Sequence, residues 1–240
     1  MTLYRVLGPL GLEHDGRAVP IGSALQRRLL AVLLVQPRAV VSADRLIDIL
    51  WGERPPAAAR QGLWTCVARL RHALRDPTGP TPSEVLVTQA PGYLLAVEPE
   101  QVDAGLFERL VAEASGMGED RPRAAGEILD QALDLWRGPA LVEFADEPFA
   151  AAEAARLDEL RLVAMERRFD VDLAVGAHAE LVGQLRAFTA LHPLRERPRG
   201  QLMLALYRCG RQAEALDAFT AYRHQLGEEL GLEPSEALRA

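Results

Sequence analysis

Apolar residues come in short β-like pieces at the start of this chain and at helical spacing through most of the rest. Leu3–Leu7 and Leu10–His14 read as strands. Asp15-Gly16, before a third piece at Arg17–Ile21, is a two-residue hairpin signal, because both residues tolerate a positive φ. The period then changes. Residues 24–36 predict a helix capped by Ser23 and stopped by Pro37, with Leu25, Leu29, Val32 and Leu33 inward. Ser42 caps a second, shorter helix that buries Leu46, Ile49 and Leu50 and ends at Trp51-Gly52. Pro55-Pro56 suits the first turn of a third. There Leu63, Val67, Leu70 and Leu74 recur at spacings of four, three and four, which stacks them on one face. Pro77, Gly79, Pro80 and Pro82 form a loop. Val85–Thr88 and Tyr93–Val97 then bracket Gln89-Ala90-Pro91-Gly92, a hairpin whose Pro-Gly centre predicts a type II turn with Gly92 at positive φ.

Beyond a short polar joint at Glu98–Asp103 almost every segment has helical period. Helices are predicted near 103–115, 123–136, 148–175, 177–191, 195–209 and 211–227, and Pro234–Ala240 starts another. Two copies of a 34-residue repeat show. Gly176-Ala-His-Ala-Glu180 aligns with Gly210-Arg-Gln-Ala-Glu214, Leu173 with Tyr207, and Phe188 with Tyr222. Small residues at crossings and large ones between them are how tetratricopeptide (TPR) helix pairs stack; an ordinary helical bundle is the alternative. The fold class is mainly α with small β-sheets. A winged helix-turn-helix domain with an extra front sheet occupies 1–97, and an all-α, TPR-like helical repeat domain occupies 98–240.

Composition adds one decisive fact. The net charge is −7, which taken whole disfavours a nucleic-acid partner. The charge is split, however. Residues 1–97 hold 11 Arg against 7 Asp and Glu, or +4, and residues 98–240 hold 16 Arg against 27, or −11. Hydrophobic residues are 49% and charged ones 25%, enough for packed cores. No apolar run is long enough to cross a bilayer, and the start has no signal-peptide pattern, so a cytoplasmic, nucleoid-associated protein is expected. Cys66 and Cys209 read as free thiols.

The third helix carries the candidate chemistry. Arg54 to Arg75 contains five arginines and no acidic residue. At about 100° per residue, Gln61, Thr65, Ala68, Arg69 and His72 fall opposite the leucines. Such a small, polar, basic face suits a major groove lined by phosphates and base edges; a solvated surface helix is the plain alternative. Arg69 is the candidate for a bidentate contact with guanine or else a phosphate contact, and Gln61 and Thr65 for base edges or thymine methyls. Arg54 and Arg60 are candidate phosphate clamps. Trp64 lies on the flank, where partly buried core is favoured over packing on sugar-phosphate. Arg71, nearer the buried side, reads as a DNA contact or a structural ion pair. Arg27 and Arg28 either reach the DNA backbone or are solvated.

Enzyme chemistry finds no support. Gly8-Pro-Leu-Gly11 lacks the spacing and the Lys of a phosphate loop. The five histidines make no pair at metal-ligand spacing, and His178-Ala-Glu180 is followed by no P-C-x-x-C. No serine sits in a G-x-S-x-G elbow. Neither a cofactor nor a metal is expected.

At this point the residues match a known family. Leu50-Trp51-Gly52-Glu53, the Val67–Leu74 core and Pro91-Gly92-Tyr93 resemble an OmpR-type winged helix. Val102-Asp103 with Phe107, Ala132–Pro139, Glu153 with Arg156-Leu157, Arg211 with Glu214–Leu216, and Gly231–Pro234 resemble a bacterial transcriptional activation domain (BTAD). In this order the two halves resemble the Streptomyces antibiotic regulatory protein (SARP) family, over nearly the whole chain. The resemblance implies a transcription activator that binds direct repeats in double-stranded promoter DNA near the −35 region and contacts RNA polymerase with its sigma factor. It implies secondary-metabolite (antibiotic) gene clusters as targets. One departure is visible. The family usually carries Arg at the wing position held here by Gln89, which hydrogen-bonds but neutralises nothing. A +4 domain binds modestly alone, and two copies on adjacent repeats gain by effective concentration, so a homodimer on DNA is expected. A TPR-like protein-binding adaptor and a repressor using the same winged helix remain the alternatives.

Overall fold

The computed structural model describes residues 2–75, 85–118 and 120–239. The predicted loop of Pro77, Gly79, Pro80 and Pro82 lies outside them. The described chain forms two compact units, one of Met1–Leu110 with Gln131–Arg161 and one of Val111–Asp130 with Leu162–Ala240.

The first unit opens with an antiparallel sheet of β1 (Thr2–Arg5), β2 (Gly11–His14) and β3 (Arg17–Ala18), in that order. Asp15 at φ 47° and Gly16 at φ 75° make the β2–β3 turn, the double positive φ that their pair predicts. Three helices follow: α1 (Ala24–Val35), α2 (Ala43–Trp51) and α3 (Ala59–Ala73). The N–H of Ser23 donates to Gln26 Oε1 at 2.7 Å, and Ser42 Oγ accepts the N–H of Arg45 at 3.2 Å, so both predicted starts are capped. Leu29, Leu30, Leu33, Leu46, Leu63 and Leu70 are fully buried and form the core where the three helices meet.

A second antiparallel sheet, ordered β4-β6-β5, combines β4 (Val41–Ser42), β5 (Leu86–Gln89) and β6 (Gly92–Leu95). Its hairpin differs from the type II expectation. The Ala90–Pro91 peptide is cis, as in a type VI turn, and Gly92 is not at positive φ. Glycine is required at 92 for another reason. A Cβ there would lie 1.9 Å from the Val41 carbonyl oxygen of β4, a strand too short to read from the sequence.

The contacts of this unit run on past residue 97. A 3-10 turn (Pro99–Gln101) leads into α4 (Asp103–Gly116), whose first side chain is 1% exposed. Asp103 accepts the N–H of Val6 at 2.7 Å and of Leu7 at 3.2 Å, with Arg137 at 3.5 Å. Burial raises its pKa, against the pull of those N–H groups and Arg137. The N–H of Arg137 donates to the Leu7 carbonyl and that of Leu141 to Val6, at 2.8 and 2.7 Å. Trp136 packs edge-on against Phe107 at 5.3 Å, under the Arg161 guanidinium. Backbone groups near the end of β1 thus find their partners some 130 residues on, where sequence period gives no sign of them.

The remaining helices are α5 (Pro122–Leu133), α6 (Ala151–Val175), α7 (His178–Leu191), α8 (Glu196–Arg208), α9 (Gln212–Leu230) and the four-residue α10 (Glu236–Arg239). In the second unit Phe169, Leu173, Leu181, Leu185, Phe188, Leu202 and Leu206 form one core. The repeat is visible in the backbone, since Gly176 and Gly210 sit at φ 87° and 76°. Phe188 and Tyr222 are both buried. The equivalence lapses at the outer face, where Tyr207 is 59% exposed against 7% for Leu173.

Candidate nucleic-acid interface

Helix α3 is held from one side only. Ala59, Leu63, Cys66, Val67 and Leu70 are buried, whereas Gln61, Ala68, Arg69 and His72 are exposed on the opposite side and Thr65 is half-buried. No side chain caps its N-terminus at Ala58, which leaves first-turn N–H groups open to an acceptor. Burial pushes the Cys66 thiol up to about 11 against the charge of Arg69, so it is a neutral packing group.

The predicted readers are in different states. Arg69 is exposed and makes no hydrogen bond or ion pair with any described residue. With Gln61, Thr65, Trp51 and Pro56 it borders a hollow of about 430 Å³. Thr65 Oγ1 donates to the Gln61 carbonyl at 2.9 Å, so it faces outward with its methyl and its lone pairs. Arg54 is exposed just before the helix and has no partner among the described residues. Arg60 is not free: it meets Asp44 of α2 at 2.6 Å, with both side chains 77% exposed. An exposed pair of this kind is weak, and a phosphate can displace the carboxylate.

Three residues differ from expectation. Trp64 is 59% exposed instead of partly buried core. It sits about 100° round the helix from Leu63, beyond the reach of the core that Leu63, Val67 and Leu70 define. Arg71 is not an ion pair. Its Nε donates to the Leu86 carbonyl at 2.8 Å and its Nη2 to Thr88 Oγ1 at 2.7 Å, which ties α3 to β5 through uncharged acceptors. Arg27 and Arg28 are partly exposed but held in ion pairs rather than simply solvated. Arg27 grips Glu143 with Nε at 3.0 Å and Nη2 at 2.7 Å and also reaches the Leu10 carbonyl, while Arg28 pairs with Glu147. Glu143 Oε1 in turn accepts the N–H of Leu10. No short-range pattern links these partners, which lie 116 and 119 residues away.

Gln89 is exposed at the end of β5, opposite Gly92 in the ladder, at the tip of the hairpin that Arg71 braces. The exposed side of α3 and the hairpin tip therefore belong to one braced element. Among the described residues no group of three or more His, Cys, Asp and Glu could hold a metal ion, and no helix is long and apolar enough to cross a membrane.

Residues 20–95 match the model described as "Transcriptional regulatory protein, C terminal", and residues 102–240 match "Bacterial transcriptional activator domain". The regulatory protein DnrI of Streptomyces peucetius is 40% identical over 98% of this chain and 88% of its own length. The regulatory protein AfsR of Streptomyces coelicolor is 42% identical over 98% of this chain, which spans only 23% of that longer relative. Mycobacterium tuberculosis EmbR, solved in complex with a low-affinity phosphopeptide, superposes with a TM-score of 0.90 at 34% identity, covering 99% of this chain and 63% of that one.

Proposed function

The chain belongs to the Streptomyces antibiotic regulatory protein family of transcriptional regulators, and we propose that it is a promoter-binding activator that reads double-stranded DNA through α3. Residues 1–97 are the DNA-binding part and residues 98–240 the activation part. Gln61, Thr65, Ala68, Arg69 and His72 face the major groove. Arg54, and Arg60 released from Asp44, hold phosphates. Trp64 lies against the sugar-phosphate wall, and Gln89 enters the minor groove beside it. Arg71 serves the interface by fixing the hairpin and adds its charge to the same side.

The observation that carries this reading is Arg69. A guanidinium with five donors and no hydrogen-bond or ion-pair partner among the described residues stands on the polar face of a helix anchored by leucines from behind. It is geometrically free to make the forked contact that guanine accepts. Two copies occupy adjacent direct repeats and gain by effective concentration. The −11 charge of residues 98–240 suits protein contact better than DNA contact, and RNA polymerase with its sigma factor is the partner. The targets are genes of a secondary-metabolite cluster.

A mobility-shift assay on DNA upstream of the neighbouring genes, followed by transcription in vitro with purified polymerase, tests the proposal. Retarded specific DNA with increased transcript is expected. Retardation with reduced transcript makes the protein a repressor, and absence of any specific shift makes it a protein-binding adaptor.

A further inference from the structure

The second unit holds a hollow of about 600 Å³ between the end of α4, α5, α6 and the start of α8. That volume lies within the range of small-molecule sites. Its walls include Met117, Ala125, Leu129, Val171 and Ala174, so an apolar body fits. It is not loose packing between α5 and α6. At Gly126 the two helices touch so closely that an added Cβ would meet Val171 Cγ1 at 3.0 Å.

The polar groups at the hollow are unequal. Asp170 is fully committed: one carboxylate oxygen takes Arg197 Nη2 and the other Gln201 Nε2, each at 2.5 Å. Arg167 is not. Its one hydrogen bond goes to Ser115 Oγ, whose own proton is donated to the Val111 carbonyl, and no carboxylate pairs with it among the described residues. The next residue shows what this helix does with a structural arginine. Arg168 is held by two carboxylates, Asp130 at 2.7 Å and Asp172. Among the described residues that line it, Arg167, Arg197 and Asp170 sum to +1, and four donor positions of Arg167 have no partner.

We propose that this hollow binds a small organic acid, with its carboxylate, sulfonate or phosphate on Arg167 and its hydrocarbon body against Val171, Ala174 and Leu129. The apolar walls supply burial, and the half-buried guanidinium supplies a charge-assisted contact that an uncharged molecule of the same shape does not make.

Two fluorescent probes that differ by one group test this on the whole protein. 8-Anilinonaphthalene-1-sulfonate carries the acid, and N-phenyl-1-naphthylamine is the same body without it. The sulfonate is expected to titrate one site at least tenfold more tightly than the amine. Arg167→Met should weaken the sulfonate about tenfold and leave the amine unchanged. Ala174→Trp, which fills the hollow from an exposed position, should abolish the site. Leu216→Ser, in a separate apolar groove, should leave it intact. Equal affinity for the two probes, or sulfonate binding indifferent to Arg167→Met and Ala174→Trp, or its loss in Leu216→Ser, overturns the proposal. The probe comparison on the unaltered protein decides even where a variant fails to fold.

Discussion

Arg71 Nε lies 2.8 Å from the carbonyl oxygen of Leu86, and its Nη2 lies 2.7 Å from Thr88 Oγ1. The side chain therefore fixes the angle between the exposed helix and the hairpin beside it. Arg69, two residues earlier, makes no hydrogen bond or ion pair with any described residue. Neighbouring arginines on one helix thus divide into a brace and the proposed reader of DNA, and the two should fail differently.

Arg69→Ala is expected to leave the melting temperature unchanged and to cost about 1–3 kcal/mol on the specific site, with little change on random DNA. Arg71→Ala is expected to lower stability by about 1–3 kcal/mol, because two charge-assisted hydrogen bonds go and the Leu86 carbonyl loses a donor. Its loss of DNA affinity should be similar on every sequence. Urea denaturation and fluorescence-anisotropy titrations separate the two, and equal losses on specific and random DNA for Arg69→Ala would leave it a phosphate contact only.

Gln89→Arg restores a charge to the hairpin tip. The slope of log K against log salt should steepen by about 0.9, since one more phosphate is neutralised. Affinity should rise on specific and random DNA alike. An unchanged slope would remove the hairpin tip from the interface.

Gly92→Ala places a methyl 1.9 Å from the Val41 carbonyl oxygen, against backbone that has no room to give. The β4–β6 pairing must part. A loss of about 1–3 kcal/mol is expected, as for other overpacked sites, with reduced DNA binding because β6 carries the hairpin. Amide exchange at Val41 and Tyr93 reports the pairing directly; protection equal to that of the unaltered protein would mean that the contact relaxes.

Glu214 receives Arg211 through both oxygens, at 2.7 and 2.6 Å, and Arg186 at 2.6 Å. The hydrogen bonds from Arg211 and then Arg186 lower its pKa from 4.5 to about 2. Since the folded value is depressed, the stabilisation is fully present above the ordinary glutamate range and is lost as pH falls from about 4.5 toward 2. The Glu214 carboxyl resonance should titrate near the lower limit. Glu214→Gln should flatten that part of the stability profile by lowering stability at neutral pH, and only slightly, because the group is exposed.

Much of this was legible in the sequence. Leucine spacing placed α1, α2 and α3, Asp15-Gly16 placed the first hairpin, and the Gly176/Gly210 equivalence placed the repeat. Local periodicity carries that information because helices and tight turns are local. It failed where the cause was distant. The role of Gly92 depends on β4, and the partners of Arg27 and Arg28 depend on a segment more than 110 residues away. Trp64 misled for another reason. Its size suggests burial, but its angle on α3 places it beyond the core, and for a side chain on a one-sided helix the angle decides.

The intimate joining of the front sheet to Asp103 and to residues 136–147 bears on how this protein can be dissected. A truncated gene ending after Val97 would strip Val6 and Leu7 of their acceptor and leave Arg27 and Arg28 as two orphaned cations on α1. Such a fragment's indiscriminate stickiness toward polyanions would mimic the very property it was made to measure.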